Sequence, residues 1–149
     1  MEQVKPLLVG ETNPYGSDPY YDLYCEPQHS AGGRLCRKVL GLTPREYLAR
    51  FDRVNLCVGK WSVKKAREKV VDILWMIDRP AMVLCGKKVC EAFHLEFKPF
   101  TWQAPLPVDD SRRFPNIVIL PHPSGLSRAW NESGAYERAR AVLREAGVL

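Results

Sequence analysis

The sequence predicts an α/β fold, a three-layer sandwich with a central four-stranded parallel sheet flanked by helices. Two observations predict it. Four short runs rich in Val, Ile and Leu lack polar alternation, as strands buried on both faces do, and such strands are usually parallel. Segments with helical spacing stand between them, so strand and helix alternate along the chain. The length of 149 residues fits one domain, expected to cover 1–149.

The elements follow in order. Pro6 to Val9 reads as a first strand, closed by Gly10. Thr43-Pro44-Arg45-Glu46 opens a helix: a capping hydroxyl, proline at the first helical position and Glu three residues after the cap. Phe51 to Cys57 is a second strand, closed by Gly59. Ser62 precedes a long helical pattern, Val63 to Ile77, with Ala66, Val70, Ile73, Leu74 and Ile77 on one face, ended by Arg79-Pro80. Ala81 to Cys85 is a third strand, and Lys87 to Leu95 a short helix after it. Asn116 to Leu120 is a fourth strand, closed by Pro121. Ser133 to Ala146 ends the chain as a basic amphipathic helix with Gly147 as its stop.

Composition excludes several classes. Hydrophobic residues at 46% and charged residues at 26% do not fit a disordered tail, a collagen-like chain or a coiled coil. No apolar run approaches the ~20 residues of a membrane helix, and Leu7-Leu8-Val9 is too short for a signal-peptide core. No membrane association and a cytoplasmic location are therefore expected. The five cysteines, Cys25, Cys36, Cys57, Cys85 and Cys90, are odd in number and form no CxxC pair, which fits reduced, buried thiols better than a disulfide framework or a zinc site. No metal and no cofactor are expected. The net charge of +5 is compatible with simple solubility and with a polyanionic partner such as nucleic acid.

Two long segments interrupt the alternation. Glu11 to Gly33 is rich in Gly, Pro, Tyr and Asp, and Pro99 to Pro115 carries four prolines. Long loops in small domains are often functional. Ligands of open parallel sheets sit beyond the carboxyl ends of the strands. The loop after the first strand, Asn55 near the end of the second, and His122-Pro123-Ser124 after the fourth should therefore meet in one cleft. In the first loop, Asn13-Pro14 and Tyr15-Gly16-Ser17 are also good turn formers. His122 is held stiffly between two prolines. Leu126 has no periodic reason to stand in a Gly- and Ser-rich loop: it either packs back onto the core or projects as a wedge of the kind that enters base steps. Trp130, just beyond, suits either packing or stacking on DNA.

Gly10-Glu11-Thr12-Asn13-Pro14-Tyr15 and His122-Pro123-Ser124-Gly125-Leu126-Ser127 together resemble the two signature motifs of the uracil-DNA glycosylase superfamily, and Asn55 matches its base-reading asparagine. The motifs lie near the two ends of the chain in the family's order. The family fold, a four-stranded parallel sheet with flanking helices, agrees with the strand count, and the expected strand order is 2-1-3-4. The first motif has one more residue between Gly10 and Pro14 than the commonest forms. It places Asn13 before the proline, like the mismatch-specific and single-strand-selective branches, whereas His122 resembles the uracil-specific branch. Ala31-Gly32-Gly33-Arg34-Leu35-Cys36 resembles a helix start of the cluster-bearing branch, but that branch's CxxC pair is absent. Gln28 falls where a stacking phenylalanine is expected.

The resemblance implies a monomeric, monofunctional enzyme of base-excision repair. It would cleave the N-glycosidic bond of uracil or another deaminated base in single- or double-stranded DNA after flipping the base out. It implies that Asn55 reads the base edge and that Tyr15 lies against C5, excluding a methyl group. His122 would donate to the charge developing on the base. Asn13 would position water, with Glu11 and then Asp18 as alternative carboxylates. Ser17, Ser124, Gly125, Ser127 and Arg128 would hold phosphates, and Leu126 would fill the vacated stack. Two other readings stay open: a catalytically weak DNA-binding relative, and a small nucleoside or nucleotide hydrolase.

Overall fold

The computed structural model describes residues 4–75, 78–104 and 115–149. The end of the expected long helix at 76–77 and most of the 99–115 loop lie outside those residues. β1 (Leu7–Asn13), β2 (Asp52–Val58), β3 (Ala81–Cys85), β4 (Thr101–Gln103) and β5 (Asn116–Leu120) form one five-stranded sheet in the order β2-β1-β3-β5-β4. The four expected strands are present, parallel, and in the expected order. The expected sheet was one strand short: β4 adds an antiparallel edge, pairing Trp102 with Val118. Among the described residues it is an edge strand, consistent with its three exposed residues.

Alternation along the strands builds two cores, one on each face. Leu8, Val83, Val118 and Leu120 pack with Leu35, Val39, Tyr47, Ala139 and Leu143. These come from α1 (Ala31–Arg34, continued by a π turn through Val39), α2 (Pro44–Arg50) and α5 (Ala135–Glu145). Leu7, Val9, Met82, Leu84 and Ile119 pack on the other face with Ala66, Val70 and Val89. These belong to α3 (Val63–Trp75) and α4 (Lys87–Ala92). The buried residues of β1, β2, β3 and β5 thus face one core or the other, the reason these strands read as continuous apolar runs.

Local chemistry sets the boundaries. Thr43 and Glu46 form the full capping box of α2. α4 is shorter than expected: His94 turns left-handed at φ 57 just after it ends. α5 starts at Ala135 rather than Ser133, because Gly134 before it holds φ 79. β1 does not stop at Gly10. It runs on to Asn13 because Gly10, Thr12 and Asn13 pair with Asn55, Cys57 and Val58 of β2. Asn55 consequently lies mid-strand opposite Gly10, not at the strand tip.

This topology places a crevice. From β1 the chain passes to β2 on one side, while from β3 it passes to β5 on the other. β1 pairs with β3 only from Leu7 to Val9, so the two strands part beyond that point. A reversal of winding direction with diverging carboxyl ends is the arrangement that opens a ligand site in α/β sheets.

All five cysteines are buried and free. Burial pushes the Cys85 thiol up to about 12, and those of Cys36 and Cys90 up to about 11. Among the described residues no helix is long and apolar enough to cross a membrane.

Candidate functional site

The residues singled out in the sequence form two groups, one joining the end of β1 to the middle of β2 and one where the ends of β1 and β5 meet. The first centres on Asn13, which is 1% exposed. Its Nδ2 donates to Asp22 Oδ1 at 3.0 Å and to the Asp18 carbonyl at 3.2 Å, and its Oδ1 accepts the Tyr15 N–H at 2.8 Å. The amide has become the frame of the first loop. Both bonds from Nδ2 and one accepted by Oδ1 stay inside the loop, and the second lone pair of Oδ1 is left over.

Asp22, which sequence reasoning passed over, is the hub of this group. Its Oδ2 accepts the Asn55 backbone N–H at 3.0 Å while Oδ1 holds Asn13, and its own carbonyl accepts from Arg53. Burial raises its carboxyl above the ordinary aspartate value, against the lowering effect of the bonds from Asn55 and Asn13. Nothing local marks it out: it is one acid among several in a polar loop, and its partners lie 9 and 33 residues away.

Asn55 is buried at 6% exposure, and its Oδ1 has no hydrogen-bond partner among the described residues. The atom lies over Gly10, where a Cβ would collide with it and with the Leu23 side chain. Glycine at that position is what lets the amide lie against β1. Leu23 itself holds φ 48, a strained conformation for a branched residue, and is tied down by the Tyr47 hydroxyl donating to its carbonyl at 2.7 Å. A buried acceptor left unpaired costs about 1–3 kcal/mol, and Asn55 Oδ1 is such an acceptor among the described residues.

The second group is His122 with Glu11. The His122 Nδ1 accepts the Ser124 N–H at 3.1 Å, which leaves the proton of the neutral ring on Nε2. Burial holds this histidine below its ordinary pKa; Glu11 opposes the shift and Lys88 adds to it. Nε2 is 3.9 Å from Glu11 Oε2, too far for a hydrogen bond, so its N–H remains available. Gly86, at φ 109 after β3, lies beneath both: a Cβ there would come within 3.2 Å of His122 Cβ and 3.3 Å of Glu11 Oε1. Side chains from the ends of β1 and β5 thus meet over the end of β3.

The loop after His122 is pinned from several sides. Trp130 Nε1 donates to the His122 carbonyl at 2.8 Å, and Arg34 Nε to the Pro123 carbonyl at 3.1 Å. Ser124 Oγ accepts the Leu126 N–H, and its carbonyl the Ser127 N–H. On this fixed loop Leu126 is 93% exposed, so it does not pack back onto the core. Trp130 takes the packing alternative: it is buried and stacked on Tyr136.

The remaining residues occupy the rim. Tyr15, Ser17, Gly125 and Arg128 are exposed, and Ser124 and Ser127 half-buried. Asp18 is exposed, with Oδ1 accepting the Tyr20 N–H as the cap of a short 3₁₀ turn. Arg34, within the Ala31–Cys36 stretch, joins this rim: its guanidinium lies 3.6 Å from where a Gly125 Cβ would be. Two clefts open elsewhere. One of about 970 Å³ lies at the amino ends of the strands, between Lys5, Arg50, Asp52 and Arg79, and one of about 430 Å³ beside Leu7, Arg53 and Lys69. Neither is lined by residues of the two groups.

Fold and site define an α/β protein with a strand-end crevice that offers an unpaired buried amide oxygen, a neutral imidazole N–H and a carboxylate. No protein-family model matches the chain, and no curated protein matches it.

Proposed function

We propose that the protein hydrolyses the bond between a deaminated base and its deoxyribose in DNA, using this crevice as the active site. The observation that carries the reading is Leu126, 93% exposed on a pinned loop that begins at His122. An enzyme for small nucleosides has no use for an apolar side chain held out in water beside its site. An enzyme that must open a base stack does, because the side chain fills the gap and offsets the few kcal/mol of unstacking.

The other groups take complementary parts. Asn55 Oδ1 accepts a ring N–H of the flipped base, and a base presenting an acceptor there leaves it unpaired, which a buried site penalises heavily. As the C1′–N bond breaks, the electron pair leaves with the base, and His122 Nε2–H donates to the resulting negative charge. One well-aimed donor of this kind contributes about 2.7–4 kcal/mol. Glu11 orients the water whose oxygen bonds to C1′ and takes up its proton. It is better placed than Asn13, which shapes the loop, and than Asp18, which caps a turn. Tyr15 stands at the mouth, where it excludes a C5 methyl group. Ser17, Ser124, Gly125, Ser127, Arg128 and Arg34 hold the flanking phosphates.

The test is incubation with labelled oligonucleotides carrying uracil, hypoxanthine, xanthine or a G·T mismatch, followed by alkali. Strand breaks at one or more deaminated bases are expected. No break on any substrate, single- or double-stranded, overturns the proposal.

A further inference from the structure

The base-excision reading leaves unused the most uniformly charged surface beside the crevice. β2 ends at Val58 and enters α3 through Gly59-Lys60-Trp61-Ser62, and β3 enters α4 through Gly86. α3 and α4 pack against each other on one face of the sheet, so both connections open on the carboxyl end, next to the crevice. Lys60, Lys64, Lys65 and Lys88 stand there, all exposed. No Asp or Glu occurs from Arg53 to Arg67 or from Arg79 to Cys90. Among the described residues none of these four lysines forms an ion pair.

Some cations elsewhere are paired. Arg79 pairs with Asp52 at the amino end of the sheet, Arg37 with Glu26, and Arg138 with Glu132. What sets this rim apart is that its unpaired lysines lie in two stretches of sequence that contain no carboxylate. Trp61 gives this rim an anchor. It is half-buried against the α3–α4 core, and Lys88 Nζ lies over its ring at 6.0 Å. Lys88 lies in the first turn of α4, just after Gly86, over which His122 and Glu11 meet, so the rim adjoins the crevice. Val58, paired with Asn13 and 62% exposed, bridges the rim and the first loop.

We infer that Lys60, Lys64, Lys65 and Lys88, arranged about Trp61, form a phosphate track that carries the DNA strand away from the crevice on the side opposite Leu126. The inference rests on the base-excision reading and adds to it a second line of backbone contact. A polyanion suits this surface because several unpaired cations follow one another with no carboxylate between them. Such contacts release counterions and make affinity fall steeply with salt.

The test uses the full chain with Lys60→Gln, Lys64→Gln and Lys65→Gln combined, and a fluorescein-labelled duplex titrated by anisotropy across a salt series. Each lost phosphate contact flattens the plot of log affinity against log salt by about 0.9, so the triple variant should be flatter by about 2.7. Base release at saturating DNA should be unchanged. A control, Lys5→Gln with Arg50→Gln and Arg144→Gln, should keep the wild-type slope. A triple variant with wild-type affinity and slope overturns the track while leaving the excision reading intact. Wild-type protein that binds no DNA and releases no base overturns both.

Discussion

Leu126→Ala separates folding from function more cleanly than any other substitution in this protein. At 93% exposure the side chain buries almost nothing in the fold, and its loop is held by backbone and neighbouring side chains. Stability should therefore change by less than about 0.5 kcal/mol, as at ordinary surface positions. At a duplex the same side chain passes from water into the vacated stack. Burying a leucine is worth about 1.5–3 kcal/mol, of which alanine keeps a small part, so the loss is about 2 kcal/mol. Since 1.36 kcal/mol is tenfold, excision from duplex should slow about 30-fold. Single-turnover release of uracil from duplex and from single-stranded oligonucleotide measures this, with a thermal melt beside it. The duplex rate should fall and the single-strand rate should fall less, because no partner stack has to be held open. Unchanged duplex excision, or a variant that melts well below wild type, would refute the reasoning.

Three further outcomes follow from the described contacts. Asp22→Ala strands two buried donors, Asn13 Nδ2–H and Asn55 N–H, at about 1–3 kcal/mol each. The melting temperature should drop by about 4–24 °C, and an unchanged melt would show the hub to be dispensable. Because the folded carboxyl titrates above 3.8, Asp22 opposes folding progressively as pH rises from 3.8 through its raised value. The stability gap between wild type and the variant should narrow over that interval in denaturant titrations. His122 has the opposite sign: its folded pKa lies below 6.5, so its contribution is complete above pH 6.5 and is lost as pH falls through the interval below. Stability measured from pH 8 to pH 5 should show that loss in wild type and not in His122→Ala. The five buried thiols should all resist a thiol reagent at pH 8 in the folded protein and all react in denaturant; rapid labelling of the native chain would contradict their burial.

The fold was legible where burial alone decides structure. β3 and β5 coincide with their apolar runs, because each is buried on both faces and bounded by Gly86 or Pro121. β4 was not legible: three exposed residues, Thr101 to Gln103, carry no apolar pattern, and only their pairing with β5 makes them a strand. The polar end of β1 hid for a related reason, since Glu11 and Asn13 are strand residues only by virtue of β2 beside them. For the site, the glycines, His122 and Leu126 announced themselves by being out of place in their segments. Asp22 did not, because its importance lies in two hydrogen bonds that exist only after β1, β2 and the first loop have come together. The loop-framing bonds of Asn13 hid for the same reason: its neighbours in sequence do not reveal that its Nδ2 will hold Asp22 and the Asp18 carbonyl.

The central claim is that the crevice reads a base through Asn55 and releases it by hydrolysis. Mass spectrometry of a uracil- or hypoxanthine-containing oligonucleotide after incubation with stoichiometric protein tests it most directly. The account predicts free base together with a strand of abasic mass from wild type, and neither from Asn55→Ala or Glu11→Gln. An oligonucleotide of unaltered mass after prolonged incubation with wild-type protein would contradict it.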